Sequence, residues 1–241
     1  MNKVLVKSIF TVSLLIMLMA VPVYGASVNK SIKIDAGSES DGATTVNGSI
    51  SVGAGAVVTD TLRTVNGKIR VGEKARIEDA ETVNGNLLIA DSVNAGNLTT
   101  VNGSISLGES ASVDGVIEAV NGAISLDQGS KVSGTVSNVN GDMDFAGGEI
   151  GGDVSTVNGD VEMSHGAVID GDLVVKKPNS WGWGNRNDNR PKVVIGPGSA
   201  VNGTIRLERE VELFISETAT VGGVEGVMSM NDAVRFSGER P

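Results

Sequence analysis

Val101-Asn102-Gly103-Ser104-Ile105-Ser106-Leu107 is the stretch on which the reading of the whole chain turns. An Asn-Gly pair is followed by apolar residues at alternate positions, the pattern of a short strand with one buried face. The same Val-Asn-Gly triplet begins at Val46, Val65, Val83, Val101, Val120, Val139 and Val157, at steps of 19, 18, 18, 19, 19 and 18 residues. Behind each triplet stand Ile50/Val52, Ile69/Val71, Leu87/Ile89, Ile105/Leu107, Ile124/Leu126, Met143/Phe145 and Val161/Met163. A second apolar site recurs at Val58, Ile77, Val93, Val113, Val132, Ile150 and Ile169, and a third at Leu62, Leu98, Ile117, Val136, Val154 and Leu173. Each unit therefore holds three short strands between corners of Gly, Asp, Asn or Ser. One unit alone has nothing to bury its apolar face against, but stacked units let every strand pair with its counterpart in the next. The expected fold is all-β, a single-stranded parallel β-helix (solenoid) of about ten coils, each of 18–19 residues.

The phase extends in both directions. Residues 31–48 form one further unit with Ile32 and Ile34 at the alternating sites, but Ser38, Glu39 and Ser40 stand where the second apolar site belongs, so this first coil reads as a polar cap. An eighth triplet, Val201-Asn202-Gly203, is out of phase. Aligning residues 192–203 with 104–115 puts Val193 and Ile195 on Ile105 and Leu107, which assigns this Asn-Gly to the second corner. Residues 212–223 align the same way through Leu213, Ile215, Ala219 and Val221. The expected organisation is a leader at 1–25, a β-helix at 26–223 with a loop inserted at 176–192, and a C-terminal cap and tail at 224–241. At ~4.8 Å per coil the rod should be roughly 45–50 Å long.

Composition agrees with a thin interior. The chain of 241 residues is 40% apolar but only 3% aromatic, so small aliphatic side chains must line a narrow core. The absence of cysteine excludes disulfides, a thiolate metal site and a thiol nucleophile. Lys3 and Lys7 precede an apolar run at residues 9–23, with Pro22 near its end and Gly25 and Ala26 behind it, the layout of a secretory signal cleaved after Gly25. The expected location is periplasmic or secreted, with no membrane span left after cleavage. A formal charge of −10 argues against nucleic acid as a partner. Export would also separate the chain from cytosolic ATP, NAD and acyl-CoA.

Four groups of residues are candidates for more than packing. The ladder Asn47, Asn66, Asn84, Asn102, Asn121, Asn140 and Asn158 suits corners, because Asn tolerates left-handed backbone angles and the following Gly adopts them freely. Its amides can bond corner backbone and neighbouring coils, which makes a structural spine; ligand binding by exposed amides is the alternative. His165, the only histidine, sits beside Gly166 at a corner with no partner for a zinc site or a nucleophile–base pair. Acids are numerous but dispersed; Asp142/Asp160 and Asp153/Asp172 hold similar coil positions, where calcium could bridge them or they could serve solubility. The insertion KKPNSWGWGNRNDNRPK carries both tryptophans, and Trp181, Trp183, Arg186 and Arg190 are the candidate partner contact, suited to a sugar face, an acidic partner or the protein's own flank. No cofactor or metal is expected.

Gly103-Ser-Ile-Ser-Leu-Gly-Glu-Ser-Ala-Ser-Val-Asp-Gly115 resembles the repeats of bactofilins, polymer-forming bacterial proteins built on a right-handed β-helix of similar coil length. The resemblance covers roughly residues 32–223 and implies right-handed winding and end-to-end self-association. Bactofilins are generally cytosolic, whereas this chain carries an export signal, and its uniform Val-Asn-Gly corner is unusual for them. Val194-Ile-Gly-Pro-Gly-Ser-Ala-Val-Asn-Gly203 is similar to hexapeptide-repeat acyltransferases, but the 18–19 alternation departs from a strict six-residue step. The expectation is an exported, non-enzymatic structural or assembly protein of the bacterial cell envelope, partnered with itself or with an envelope glycan or protein. The competing expectation is an adhesin-like or glycan-binding rod that works through the Trp181/Trp183 loop.

Overall fold

A computed structural model describes residues 28–178 and 190–241. The expected leader lies outside the described residues. Almost every element is a short strand, and every strand pairing is parallel. The strands stack on three faces. The first face is one sheet of eleven strands, from Ile32–Ile34 through Ile105–Leu107 to Val234–Phe236. Its register joins like to like: Ile69, Leu87, Ile105, Ile124, Met143, Val161, Val193 and Leu213 stand over one another. The second face is built of two-residue strands such as Ser112–Val113 and Lys131–Val132. The third carries longer strands that run into the Asn corner, such as Leu98–Asn102 and Ile117–Asn121. The molecule is a β-solenoid of about ten turns.

Alternation explains which residues fill it. Ile105 and Leu107 are buried and Ser106 between them is not, and the same pattern repeats on the strands above and below. Burying one such aliphatic side chain stabilises by about 1.5–3 kcal/mol, and no single coil has the depth to achieve it. Phe145 is the bulkiest fully buried side chain. The out-of-phase triplet falls where its alignment put it, with Val201 over Ile169 on the second face.

The structure corrects four expectations. First, in the coil containing residue 93 the second-face site is Ala95, which stands over Val113. Val93 occupies the preceding corner, where neighbouring coils have Ala75 and Ala111; all are buried. Large and small residues have exchanged places within one coil, so the volume filled is nearly conserved. Second, the solenoid does not stop at Gly223. Thr220–Gly226 is one strand that extends the third face, and Val234–Phe236 adds a last rung to the first. Val224 is the only apolar residue in the new third-face stretch, too little for alternation to be visible. Beyond Gly226, Met228, Met230 and Ala233 pack against the end of the core. Third, the insertion is narrower than 176–192: the Lys176 N–H still bonds the Thr156 carbonyl, and Lys192 already begins a strand.

The fourth correction concerns the Asn-Gly corners. Their backbone is not left-handed at Asn, which in five coils is the last residue of an extended strand. Left-handed angles cluster instead at the corner between the first and second faces, at Lys74, Ser92, Ser110 and His165 and at glycines such as Gly55 and Gly129. Glycine follows each Asn for a different reason. A methyl group at Gly103 would overlap the carbonyl oxygen of Gly85 in the coil before it. Coil stacking demands a residue without a side chain, whatever its φ.

Candidate functional site

The asparagines form a continuous chain of amide-to-amide hydrogen bonds along the outside of the rod. Asn47 Nδ2 donates to Asn29 Oδ1 (2.8 Å), Asn66 to Asn47 (2.8 Å), Asn84 to Asn66 (2.8 Å) and Asn102 to Asn84 (2.9 Å). Asn121, Asn140 and Asn158 continue the chain at 3.0, 2.8 and 2.8 Å. Every donor points to the preceding coil, so the ladder has a direction. Asn29 extends it by one rung at the front, where Lys30 stands in place of the glycine of the triplet. At the far end Arg209 Nη1 donates to Asn158 Oδ1 (3.0 Å) and to the Val157 carbonyl (3.2 Å). The pairing of Val175 with Leu207 puts Arg209 two coils beyond Asn158, so its side chain crosses the coil whose corner is opened by the insertion. The ladder's amides are committed to one another, which favours the spine over an amide-lined ligand site.

A second ladder lies just inside the first and was not read from the sequence. Two residues before each Asn stands a buried Thr45, Thr64, Thr82, Thr100 or Thr156. Four of these hydroxyls donate to a carbonyl of the preceding corner: Thr45 to Lys30 (3.0 Å), Thr64 to Gly48 (2.8 Å), Thr82 to Gly67 (3.0 Å) and Thr100 to Gly85 (3.1 Å). The valine between Thr and Asn faces outward and is half-buried at Val65, Val83, Val101, Val120, Val139 and Val157. The signal was present in the recurrence of Thr before the triplet, a residue that periodicity counts as neutral. Ala119 and Asn138 replace it in two coils.

Corner acids do similar work. Asp142 accepts the Asp160 N–H (3.2 Å) and Asp160 in turn accepts the Lys192 N–H (2.8 Å). Asp153 and Asp172 repeat this at another corner, toward Asp172 and Thr204. The stacked acids therefore serve the backbone of the next coil, and charge-assisted bonds of this kind are stronger than neutral ones. Among the described residues no three His, Asp or Glu side chains are arranged to hold a metal ion. His165 is exposed at a left-handed corner, its Nδ1 3.0 Å from Ser164 Oγ. Burial pushes the carboxyls of Glu118 and Asp144 up, Asp144 further through repulsion from Glu162 and Asp127. They stand on different faces, at outward positions, and form no acid–base pair.

Trp181, Trp183 and Arg186 lie outside the described residues. Arg190 is described, and its guanidinium pairs with Glu210 at 2.6 Å, both side chains exposed. On the other side of the insertion the Lys177 N–H bonds Glu208 Oε2 (3.1 Å). Both flanks of the insertion are thus fastened to acids of one following segment. Beside Arg190 is an open groove of about 460 Å³, lined by apolar residues such as Val211, Phe214 and Met228 and by the charged Glu210, Glu212 and Asp232. Comparison of the chain with family models, with curated proteins and with solved structures gave no match. Among the described residues no helix is long and apolar enough to cross a membrane.

Proposed function

We propose that this chain is an exported structural rod of the bacterial cell envelope, without catalytic activity, that assembles through its ends. The observation that carries this reading is how the polar residues of the corners are used. Asn, Thr and Asp side chains in coil after coil bond the coil next to them, which favours a stiff, self-contained rod over a surface that presents side chains to a substrate. A rod of stacked strands has unsatisfied backbone groups at its ends unless something covers them. Here the two ends differ. Met228, Met230 and Ala233 cover the C-terminal end, while at the other end Ile32 and Ala43 of the first rung are only half-buried among the described residues, and its second face is polar.

The test is removal of residues 227–241, which leaves the strand Thr220–Gly226 intact. Size-exclusion chromatography and negative-stain microscopy of the mature chain should give concentration-dependent oligomers. The shortened chain should give longer rods of the same width, since heterologous end-to-end contact continues without closure. Strict monomers from both chains at high concentration would overturn assembly and leave the Trp181/Trp183 binding rod as the reading to pursue.

A further inference from the structure

We propose that Asn140 is a site of spontaneous modification, at which the backbone nitrogen of Gly141 attacks the side-chain amide of Asn140. In this reaction the nitrogen bonds to Cγ, ammonia leaves, and a five-membered succinimide forms. Water then opens the ring at either carbonyl and leaves aspartate or isoaspartate. One water is consumed and one ammonia released, and no other reactant is needed. Asn followed by Gly is the pair in which this cyclisation is least hindered, because no side chain obstructs the attacking nitrogen.

The fold places that pair at one corner of every regular coil, and stacking forbids replacing the glycine. It also protects most of the copies. The N–H of Gly67 donates to the Asn84 carbonyl (3.1 Å), and those of Gly85, Gly103 and Gly122 to Asn102, Asn121 and Asn140 (3.0, 3.1 and 2.8 Å). Gly159 donates to Thr156 Oγ1 (3.1 Å). A nitrogen whose proton is held by an acceptor surrenders it less readily and is aimed away from Cγ. The ladder restrains the other reactant by holding each Asn amide against the coil before it.

Gly141 is the exception inside the rod. Its N–H finds no acceptor among the described residues, and its φ is +129° where the equivalent Gly67, Gly85, Gly103 and Gly122 are not left-handed. The cause lies three residues upstream. Asn138 stands where most coils have the buried Thr; it is only 4% exposed, its Nδ2 turns to the Gly141 carbonyl, and its Oδ1 is buried without a partner. The oversized amide claims the corner's own carbonyl, and the glycine takes a left-handed φ while staying in the stack. Gly48, in the first regular corner, also has an N–H without an acceptor among the described residues, which makes Asn47 the second susceptible site. Conversion at Asn140 removes the Nδ2 that donates to Asn121, cutting Asn140 and Asn158 off from the rest of the ladder.

The experiment is peptide mapping by mass spectrometry during storage at mildly alkaline pH, reading the amide-to-acid mass gain at each Asn-Gly pair. In the folded chain Asn140 and Asn47 should convert several-fold faster than Asn66, Asn84, Asn102 and Asn121. In the chain unfolded by denaturant all should convert at similar rates. Asn138→Thr should slow Asn140 to the rate of the central corners while leaving Asn47 unchanged. Equal rates at Asn140 and Asn102 in the folded wild type would overturn the proposal, as would an unchanged Asn140 rate in a folded Asn138→Thr variant. If that variant does not fold, the wild-type comparison decides alone.

Discussion

The coils that carry the Asn ladder and the three that follow them solve the same stacking problem in different ways. Through Asn158 each coil turns sharply at Asn-Gly, with an amide outside and, in four coils, a hydroxyl inside fastening it to the coil before. After the insertion this corner has no Asn-Gly pair, and Glu208 and Arg209 bend the chain there instead. Ala200–Leu207 and Thr220–Gly226 run across the second corner as continuous strands, with a register shift at residues 201–204, and Val175 and Leu207 fill the inward position that Thr holds elsewhere. The inward register of Val161, Val193 and Leu213 nevertheless continues without a break. The apolar alternation makes the solenoid; the ladders fasten its Asn-Gly corners. Where the corner opens to admit a loop, Arg209 reaches back to terminate the spine, and the acids of the following segment hold both flanks of the loop.

The largest expected effects should not distinguish the two regions. Ile105→Asp and Leu213→Asp each place an unpaired charge among stacked aliphatics, at positions 0% and 2% exposed. Each should lose about 4 kcal/mol or more in denaturant unfolding. If Leu213→Asp were tolerated while Ile105→Asp was not, the C-terminal coils would not share the core.

Glycine substitutions should separate the Asn corner from the one open glycine of the last coil's third-face strand. Gly103→Ala forces a methyl against the Gly85 carbonyl and should cost about 3 kcal/mol. Gly223→Ala meets nothing closer than Thr204 Cγ2 at 3.9 Å and should leave the melting temperature nearly unchanged. Equal losses would mean that backbone freedom, not close approach, selects glycine at the Asn corner.

The two ladders should differ in strength. Thr100→Val keeps the shape but leaves the Gly85 carbonyl without its hydroxyl, at a cost of about 1–2 kcal/mol. Asn102→Ala removes an exposed amide whose neighbours can turn to water, and should cost about 1 kcal/mol or less, with Ser106→Ala as a near-neutral control. A larger loss from Asn102→Ala than from Thr100→Val, measured by thermal unfolding, would make the outer ladder the main fastening.

The smallest effect is electrostatic. Burial raises the Glu118 carboxyl above its ordinary range. A carboxyl raised in the native state binds its proton more tightly folded than unfolded, so ionisation weakens the fold. Stability should decline as pH rises from the unfolded to the folded value of this group, and stay lower above it. Glu118→Gln should therefore raise the melting temperature slightly at neutral pH and not in acid. A gain of equal size at both pH values would assign the effect to packing.

Much of this architecture was legible because its cause is repetition. Alternation at Ile105/Leu107 and a step of 18 or 19 residues require a stack, since a strand of three residues has no other way to stay buried. The ladder positions followed from the same count. Less legible were features that depend on what a neighbouring coil supplies. Thr100 looks like any polar strand residue until the Gly85 carbonyl lies over it, and Val93 looks like a second-face residue until Ala95 is seen to take that place.

By itself, then, the sequence determined the fold class, the phase of the coils and the positions of the Asn spine, because each is set by periodicity within one chain. Tertiary structure alone decided the direction of the amide ladder, the inward hydroxyls and the extended backbone at Asn. It also decided the capture of Asn158 by Arg209, 51 residues away, and the faulty corner at Gly141. The physical reason is the same for all of them. Each depends on a contact between coils, where a carbonyl, an amide and the absence of one methyl group must meet across the stack, and one-dimensional spacing contains no information about that fit.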